Sequence, residues 1–327
     1  MIISRTPFRI SLFGGGTDYP DWYRQHGGVV LSTTFDKYCY ITCRELPPFF
    51  NHKYRLAYSI VENANNISDI KHPAIRGVLS EMNFAYGLEI HADADLPARS
   101  GLGSSSSFVV GMLHALKALR GERCSKKWLA KEAIRIEQDV LKENVGSQDQ
   151  AAAAYGGLNI IRFSKDSDIS VESLILPSLR KAELNDHMML FFTGFSRIAS
   201  EIAKSQIANL SSREKELSLI QKSVENALEI LVSTRDIREL GAILDDCWML
   251  KQSLSDQITN QDINSIYSKA RKAGAIGGKL LGAGGGGFML LFVSPKMQGS
   301  VRAALNGFVE VPFKFETAGS QIIHYEP

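Results

Sequence analysis

Pro97-Ala98-Arg99-Ser100-Gly101-Leu102-Gly103-Ser104-Ser105-Ser106-Ser107 joins an extended segment to the apolar run Phe108–Leu113. Glycine lets a backbone approach a ligand closely, and serine is a good residue at the start of a helix. A helix N-terminus directs free N–H groups and a partial positive charge outwards. A glycine-rich loop that enters a helix therefore indicates phosphate binding, and the alternative is a flexible Gly/Ser linker.

The bulk composition is that of an ordinary folded enzyme. The chain has 327 residues, of which 44% are hydrophobic and 22% are charged, and its formal net charge is +2. This length predicts two domains, and the small net charge gives no indication of nucleic acid or an acidic membrane as a partner. The sequence contains no signal peptide or membrane-spanning stretch, so we expect a cytoplasmic protein. Its four cysteines form no CxxC pair, which favours free thiols.

Hydrophobic periodicity divides the chain into interspersed strands and helices. Strands are predicted at 1–13, 29–43, 88–92, 158–163, 188–193 and 288–293. Helices are predicted at 105–119, 125–143, in several pieces over 199–257, and at 262–273. Residues 47–75 look like an irregular insertion, and the polar run within 164–187 predicts a domain boundary. Because no regular βαβ repeat is present, the pattern favours the α+β class.

Two further glycine-rich stretches compete with Pro97–Ser107 for a phosphate. Gly282–Gly287 formally matches GxGxxG, but the β-like segment Phe288–Leu291 follows it where a dinucleotide fingerprint requires a helix. Gly14–Gly16 precede Asp18, which could be a simple turn residue. The chain contains neither GxxxxGK[ST] nor GxSxG, so Pro97–Ser107 remains the phosphate candidate placed directly before a helix.

Two acidic residues are candidates for chemistry. Glu137 shares one predicted helix face with three apolar residues: Ala130, Ile134 and Leu141. An inward carboxylate needs a cation or hydrogen bonds, so Glu137 is either a Mg²⁺ ligand beside phosphates or half of a buried salt bridge. Asp149 lies in the polar segment Gly146–Gln150, where it could instead cap the following segment. The seven histidines form no metal-ligating pair.

Taken together, the three glycine-rich stretches resemble the motifs of the GHMP small-molecule kinases. Pro7–Tyr19 resembles their first motif, Pro97–Ser107 their second, ATP-binding motif, and Lys279–Gly287 their third. Order and spacing fit over essentially the whole chain. The resemblance implies a two-domain α+β GHMP kinase fold. An N-terminal ribosomal-protein-like βαβ domain that binds ATP would span 1–184, and a C-terminal ferredoxin-like α+β domain would span 185–327.

Within this family the chain most resembles the kinases of D-glycero-D-manno-heptose 7-phosphate. The similar stretches are Arg9–Asp18, Gly27–Tyr38, Val145–Gln150 and Phe192–Arg197. Galactokinase-like members carry Gly-Glu-His where this chain has Gly14–Gly16, which argues against galactose as the acceptor. The resemblance implies transfer of the ATP γ-phosphate to the anomeric hydroxyl of a sugar phosphate, with Mg²⁺ as cofactor.

The resemblance also implies a role for each matching residue. Asp149 would be the catalytic base and Arg9 would stabilise the transferred phosphoryl group, while Glu137 and Ser105 (or, as a second choice, Ser104) would ligate Mg²⁺. The ATP-binding residues would be Pro97, Arg99, Ser100, Gly101, Leu102, Gly103, Ser104, Ser105 and Ser106. The substrate-binding residues would be Gly15, Gly16, Thr17, Asp18, Lys37, Arg197, Gly284 and Gly285. Arg197, with Lys37, would hold the sugar's phosphate, or else Arg197 is an exposed residue at a helix start.

Two other functions stay open on the sequence. One is a different sugar-1-kinase of the same family, such as an L-fucose kinase, and the other is a non-catalytic sugar or ATP sensor. The presence of Arg9, Ser105, Glu137 and Asp149 together favours an enzyme, because a sensor could lose any of them. The expected partner is a small-molecule sugar phosphate, and a homodimer is compatible with the sequence.

Overall fold

A computed structural model describes residues 1–194 and 199–327 of the chain. Its strands are β1 Ile2–Phe13, β2 Gly28–Glu45, β3 Tyr54–Ala57, β4 Val61–Ala64, β5 Leu88–Ala94, β6 Leu158–Phe163, β7 Ile169–Ser173, β8 Met188–Phe192, β9 Ala275–Leu280, β10 Phe288–Val293, β11 Val309–Glu310, β12 Phe315–Glu316 and β13 Gln321–Tyr325. Its α-helices are α1 Pro20–His26, α2 Pro73–Met82, α3 Ser104–Leu119, α4 Lys126–Arg135, α5 Gln148–Tyr155, α6 Ser178–Asp186, α7 Ala199–Asn209, α8 Glu214–Leu231, α9 Glu239–Gln252, α10 Gln261–Lys272 and α11 Gln298–Ala304. This mixture confirms the α+β class.

The larger sheet has nine strands and is built on the long strand β2. Its main path is β13-β1-β2-β5-β3-β4, and β6 and β12 also pair with β2. Strand β1 lies between β13 and β2, pairs antiparallel with both and ends at the first glycine motif. The last two strands of the chain, β12 and β13, thus return to the sheet that the N-terminus begins. The predicted domain limits, 1–184 and 185–327, assign β12 and β13 to the C-terminal domain although both strands pair with the N-terminal sheet. These limits stay a prediction.

The smaller sheet has four antiparallel strands in the order β11-β8-β10-β9. Its central strand β10 is buried at every residue, so its unbroken apolar run Phe288–Val293 suits this position. Helix α9 packs on β9, and a side chain at Gly277 would overlap the carbonyl of Gly241. Of the helices predicted over 199–257, α9 therefore packs on this sheet, whereas α8 packs on α9 and on β1 and β2 of the larger sheet.

Helix α3 follows the serine-rich stretch and packs across β1 and β2. Its N-cap is Gly103, with φ of +74°, where the sequence predicted a serine. No side chain in the described part of the chain caps this end, so no capping hydroxyl there uses the N–H groups of the first turn.

Three local predictions need correction. The predicted helix 125–143 becomes α4 followed by one π-helical turn, Ile136–Val140. The segment 47–75 contains the hairpin β3–β4 and the start of α2. Asp149 lies in the first turn of helix α5 and not in a turn before it. No helix in the described residues combines the length and hydropathy that a bilayer crossing needs.

Candidate active site

Arg9 and Asp149 form the centre of the site, although 140 positions separate them in the sequence. Strand β1 carries Arg9, and the first turn of α5 carries Asp149. The guanidinium Nε donates to Asp149 Oδ1 at 2.7 Å, and Nη2 donates to Oδ2 at 2.6 Å. This bidentate geometry fixes both planar groups and is the strongest form of an arginine–carboxylate pair. The sequence predicted both residues for catalysis, and the structure brings them into direct contact.

Arg9 also binds the second glycine motif. Its Nη1 donates to the carbonyl of Gly101 at 2.6 Å, and its backbone N–H donates to the carbonyl of Leu102 at 3.1 Å. Its side chain is 5% exposed, whereas that of Asp149 is 23% exposed. A guanidinium has five N–H donors, and these contacts occupy three of them. Among the described residues, two donors of Arg9 therefore have no acceptor and remain for a ligand.

Asp18 lies beside this pair at the end of the first glycine motif. Its Oδ1 accepts from the N–H of Gly16 at 2.9 Å, and its Oδ2 accepts from the N–H of Gln148 at 3.4 Å. A side chain at Gly146 would overlap the Asp18 carboxylate, so glycine is needed there for close packing. Burial, and then the negative charge of Asp149, raise the pKa of Asp18.

Glu137 is buried in the π-helical turn, as its apolar face predicted. Its Oε2 accepts from the hydroxyl of Ser106 at 2.8 Å and from the side-chain amide of Gln150. Burial raises the pKa of Glu137 to about 8, and Oε1 has no hydrogen-bond partner in the described part of the chain. Ser106 contacts Glu137, whereas Ser105, the predicted metal ligand, is exposed at the surface. The helical turn of α3 decides this, because consecutive side chains point about 100° apart.

The second and third glycine motifs meet backbone to backbone. A side chain at Gly101, whose φ is +82°, would overlap the carbonyl of Leu281. A side chain at Gly282 would overlap Gly101, and one at Gly287 would overlap the carbonyl of Ser100. Glycine is therefore required on both sides of this contact. The run 282–287, which has glycine at five of its six positions, thus packs on the loop that precedes α3.

The two predicted substrate glycines of this third motif, Gly284 and Gly285, pack against Ile258. The N–H of Gly285 donates to the carbonyl of Ile258 at 2.8 Å, and a side chain at Gly284 would crowd the same residue. The remaining loop residues of the second motif, Pro97 and Arg99, lie in the turn before α3. Arg99 has a positive φ of 59°, and its N–H donates to the hydroxyl of Ser104.

The sequence did not predict that two lysines at the third motif, Lys251 and Lys279, are buried and bind backbone carbonyls. Lys251, on α9, donates to the carbonyl oxygens of Leu280 and Gly282. Lys279, on β9, donates to the carbonyl of Leu12 at 3.2 Å, which links the two sheets. Burial lowers the pKa of Lys279 to about 8 and lowers that of Lys251 well below its ordinary value. Lys251 follows Cys247 by four positions on the buried stripe of α9, a signal that was present in the sequence.

Two predicted substrate residues, Lys37 and Thr17, make contacts other than with this cluster in the described structure. The ammonium of Lys37 contacts its neighbour Asp36, at 3.0 Å from the carbonyl and 3.3 Å from Oδ1. Thr17 is fully buried, and its hydroxyl lies 2.8 Å from the carbonyl oxygen of Gly14 and 3.0 Å from that of Val29, so its one proton stabilises the turn. Arg197 lies outside the described residues. Gly15 and Gly16 stay in the first glycine motif next to Asp18.

Metal binding by protein side chains alone is not supported in the part of the chain that the structure describes. Within it, no group of three or more His, Cys, Asp or Glu residues is arranged to hold an ion. A hard cation at Glu137 would therefore need ligands from a substrate, which is the usual situation for Mg²⁺ bound with phosphates.

Comparisons with known proteins agree with this architecture. The GHMP kinases N terminal domain matches residues 69–157, and the GHMP kinases C terminal domain matches residues 224–310. The D-glycero-alpha-D-manno-heptose 7-phosphate kinase of Campylobacter jejuni is 30% identical over 97% of both chains.

Solved structures show the same fold. The crystal structure of a D-glycero-D-manno-heptose 1-phosphate kinase from Bacteroides thetaiotaomicron superposes with a TM-score of 0.81 at 25% identity and covers 100% of both chains. Galactokinase from Lactococcus lactis reaches a TM-score of 0.75 at 17% identity, over 98% of this chain and 94% of that one. The fold, the two matched domains and the full-length heptose kinase relative lead to one conclusion: the chain belongs to the GHMP kinase family and is a sugar kinase.

Proposed function

We propose that the chain transfers the γ-phosphate of ATP to the anomeric C1 hydroxyl of D-glycero-D-manno-heptose 7-phosphate. The product would be the 1,7-bisphosphate, a precursor of nucleotide-activated heptose for surface polysaccharide. The observation that carries this proposal is the full-length similarity to the Campylobacter jejuni heptose 7-phosphate kinase. The bidentate Arg9–Asp149 pair beside the second glycine motif supports the phosphoryl-transfer chemistry.

The second glycine motif would bind the ATP phosphates. Gly101 and Gly103 both have positive φ, and α3 begins directly after them without a side-chain cap. Free N–H groups and the positive end of the helix dipole then favour a phosphate at this position. The third motif would approach the same phosphates from the smaller sheet, because it packs on Gly101.

The residues around Glu137 fit a bound Mg²⁺ ion. Its Oε1 is buried and lacks a hydrogen-bond donor in the described residues, and a nearby cation would compensate the burial that raises the pKa of this carboxyl. Glu137 would hold the ion with one hydroxyl of the serine run, and its contact supports Ser106 over the predicted Ser105. When bound, Mg²⁺ neutralises charge on the phosphate oxygens.

Asp149 and Arg9 would act on the two ends of the transfer. A carboxylate has about four lone-pair positions, and Arg9 occupies two of those on Asp149, so each oxygen keeps one to accept the proton of the attacking hydroxyl. The two free donors of Arg9 would stabilise charge on the transferred group. Positioning and charge neutralisation supply most of the catalysis in phosphoryl transfer, so this set of groups is sufficient.

The acceptor would lie against the first glycine motif. Asp18 is the carboxylate next to Asp149 and would accept hydrogen bonds from sugar hydroxyls. Arg197 remains our proposal for the 7-phosphate, while the contact of Lys37 with Asp36 gives that lysine no support.

The test is ADP release across a panel of acceptors. The panel includes D-glycero-D-manno-heptose, its 7-phosphate, its 1-phosphate, L-fucose and galactose, with Asp149→Asn as the inactive control. We expect turnover with the 7-phosphate and a product that carries a second phosphate ester on the C1 oxygen, identified by ³¹P NMR. Turnover confined to unphosphorylated sugars would disprove the proposed substrate. Turnover of heptose 1-phosphate instead would mean that the enzyme adds the second phosphate at C7 and not at C1. The variant Arg197→Ala should raise KM for phosphorylated sugars and leave KM for unphosphorylated sugars unchanged.

A further inference from the structure

A buried lysine on helix α9 donates to carbonyl groups at the start of the third glycine motif. Nζ of Lys251 lies 3.3 Å from the carbonyl oxygen of Leu280 and also donates to the carbonyl of Gly282. These two carbonyls bracket the point at which β9 ends and the glycine loop begins. The lysine side chain therefore connects helix α9 to the entrance of the loop.

Other side chains donate to two further carbonyls of the loop. The side-chain amide of Gln206 donates to the carbonyl of Ala283, and the hydroxyl of Thr193 donates to that of Gly287 at 2.9 Å. Donors from α9, from α7 and from the residue that follows β8 thus hold the carbonyls of Gly282, Ala283 and Gly287. In the described residues, by contrast, the N–H groups of positions 282, 283, 284 and 286 donate to no protein acceptor.

A lysine is a costly choice for this buried position. Lys251 is 9% exposed, and burying an ammonium group or leaving a carbonyl unpaired each costs free energy. The charged groups that face it are Lys279 on β9, Arg9 on β1, Asp18 after β1 and Asp149 on α5. The positive charges of Lys279 and Arg9 disfavour the ammonium form of Lys251, and the carboxylates of Asp18 and Asp149 favour it. An apolar residue would avoid this cost but would leave both carbonyls without a donor.

We infer that Lys251 is a positioning residue for phosphoryl transfer: it holds the third glycine motif against the second with its N–H groups directed to the phosphates. The contact continues to the reacting groups. Gly282 packs on Gly101, and the carbonyl of Gly101 accepts from Arg9 at 2.6 Å. A shift of the loop entrance would therefore move the surface that frames Arg9 and Asp149. This inference rests on the proposed phosphoryl transfer.

The experiment compares two variants of similar size. Lys251→Met removes the donors, whereas Lys251→Gln keeps two N–H donors without charge. Lys269→Met, on the exposed face of α10, is the control. Hydrogen exchange of a peptide covering 281–288 reports the loop directly, and kcat, KM and thermal unfolding are measured on the same samples.

We expect Lys251→Met to increase exchange selectively in 281–288 and to lower kcat by roughly 10²-fold with KM changed little, since a misplacement of about 1 Å can have that effect. Lys251→Gln should lie between Lys251→Met and the wild type. Exchange and kcat of Lys251→Met equal to those of the wild type would overturn the inference. A uniform increase in exchange would also overturn it, because that shows a general loss of stability.

Two further outcomes are also decisive. If Lys251→Met does not fold, Lys251→Gln provides the same comparison, and wild-type exchange in that variant with a 10²-fold lower kcat would contradict loop positioning. If the wild type turns over no heptose phosphate, the proposed substrate fails, while the exchange of 281–288 still decides the role of Lys251.

Discussion

Replacement of Asp149 by asparagine tests the centre of the site. The substitution keeps the shape of the side chain but removes its charge and one of its two acceptor oxygens. In the wild type both oxygens accept from Arg9, at 2.7 and 2.6 Å. In the variant the amide group must face one guanidinium N–H, so the bidentate pair is lost. The proton acceptor that we propose for the attacking hydroxyl is lost as well.

The structure sets the expected sizes of two effects. Loss of a general base lowers kcat by roughly 10²–10⁴-fold. Breaking a fully buried ion pair costs about 3–5 kcal/mol, because the remaining charge is left without compensation. Arg9 is 5% exposed but Asp149 is 23% exposed, so water can replace part of the carboxylate's contribution. We therefore expect a lower cost, about 1–3 kcal/mol of unfolding free energy.

The assay is ADP release under saturating substrates, together with urea unfolding at the same pH. The matched control is Glu310→Gln, which breaks a second bidentate arginine pair, with Arg302 at 2.7 and 2.9 Å, on the surface. It should change the unfolding free energy by less than about 1 kcal/mol and leave kcat intact. A kcat of Asp149→Asn within a few-fold of the wild type would refute the assignment of Asp149 as the base.

Three further predictions concern packing and charge. Gly101→Ala should weaken binding of a non-hydrolysable ATP analogue at least about tenfold in calorimetry, because the left-handed conformation alone costs about 1–2 kcal/mol and the methyl group also overlaps Leu281. The control is Gly121→Ala, which has a φ of +70° and open space around it and so tests backbone strain without an overlap. Equal losses of binding in both variants would contradict the Gly101–Leu281 contact. Gly146→Ala should raise KM for the sugar phosphate about tenfold by displacing Asp18, with KM for ATP unchanged, since one such displaced hydrogen bond to a charged group is worth about 1.5–3 kcal/mol. Burial lowers the pKa of Lys279 to about 8, so between pH 8 and 10.5 the unfolded chain binds more protons than the folded one. The free energy of unfolding of the wild type should therefore rise over this range by up to about 3 kcal/mol relative to that of Lys279→Met. Parallel pH curves for the two proteins in urea unfolding would contradict that prediction.

Local patterns were sufficient for most of the secondary structure. The alternation of strand β1 and the unbroken apolar run of β10 predicted both strands to within a residue or two. The inward position of Glu137 also followed from its apolar face, and it is buried. These features depend on side chains within one helix or strand, which is the information that periodicity contains.

The prediction and the structure differ where neighbours in the chain differ in environment. Ser105 and Ser106 are equivalent in composition and spacing, yet only Ser106 lies inside and contacts Glu137. The hairpin β3–β4 was missed because its four-residue strands are too short for a clear alternation. The role of Lys251 was not predictable, because periodicity places a side chain on a helix face but does not show which buried carbonyls it contacts.

The sequence by itself determined the three glycine motifs, the helix that follows the second of them and the α+β class. It determined them because backbone preferences and hydrophobic spacing are local properties. Only the tertiary structure decided that Arg9 binds Asp149 across 140 positions, that β13 returns to β1, and that Lys251 supports the third motif against the second. Each of these contacts joins segments that are distant in the chain, and their partners are chosen by packing and by the need to pair buried polar groups.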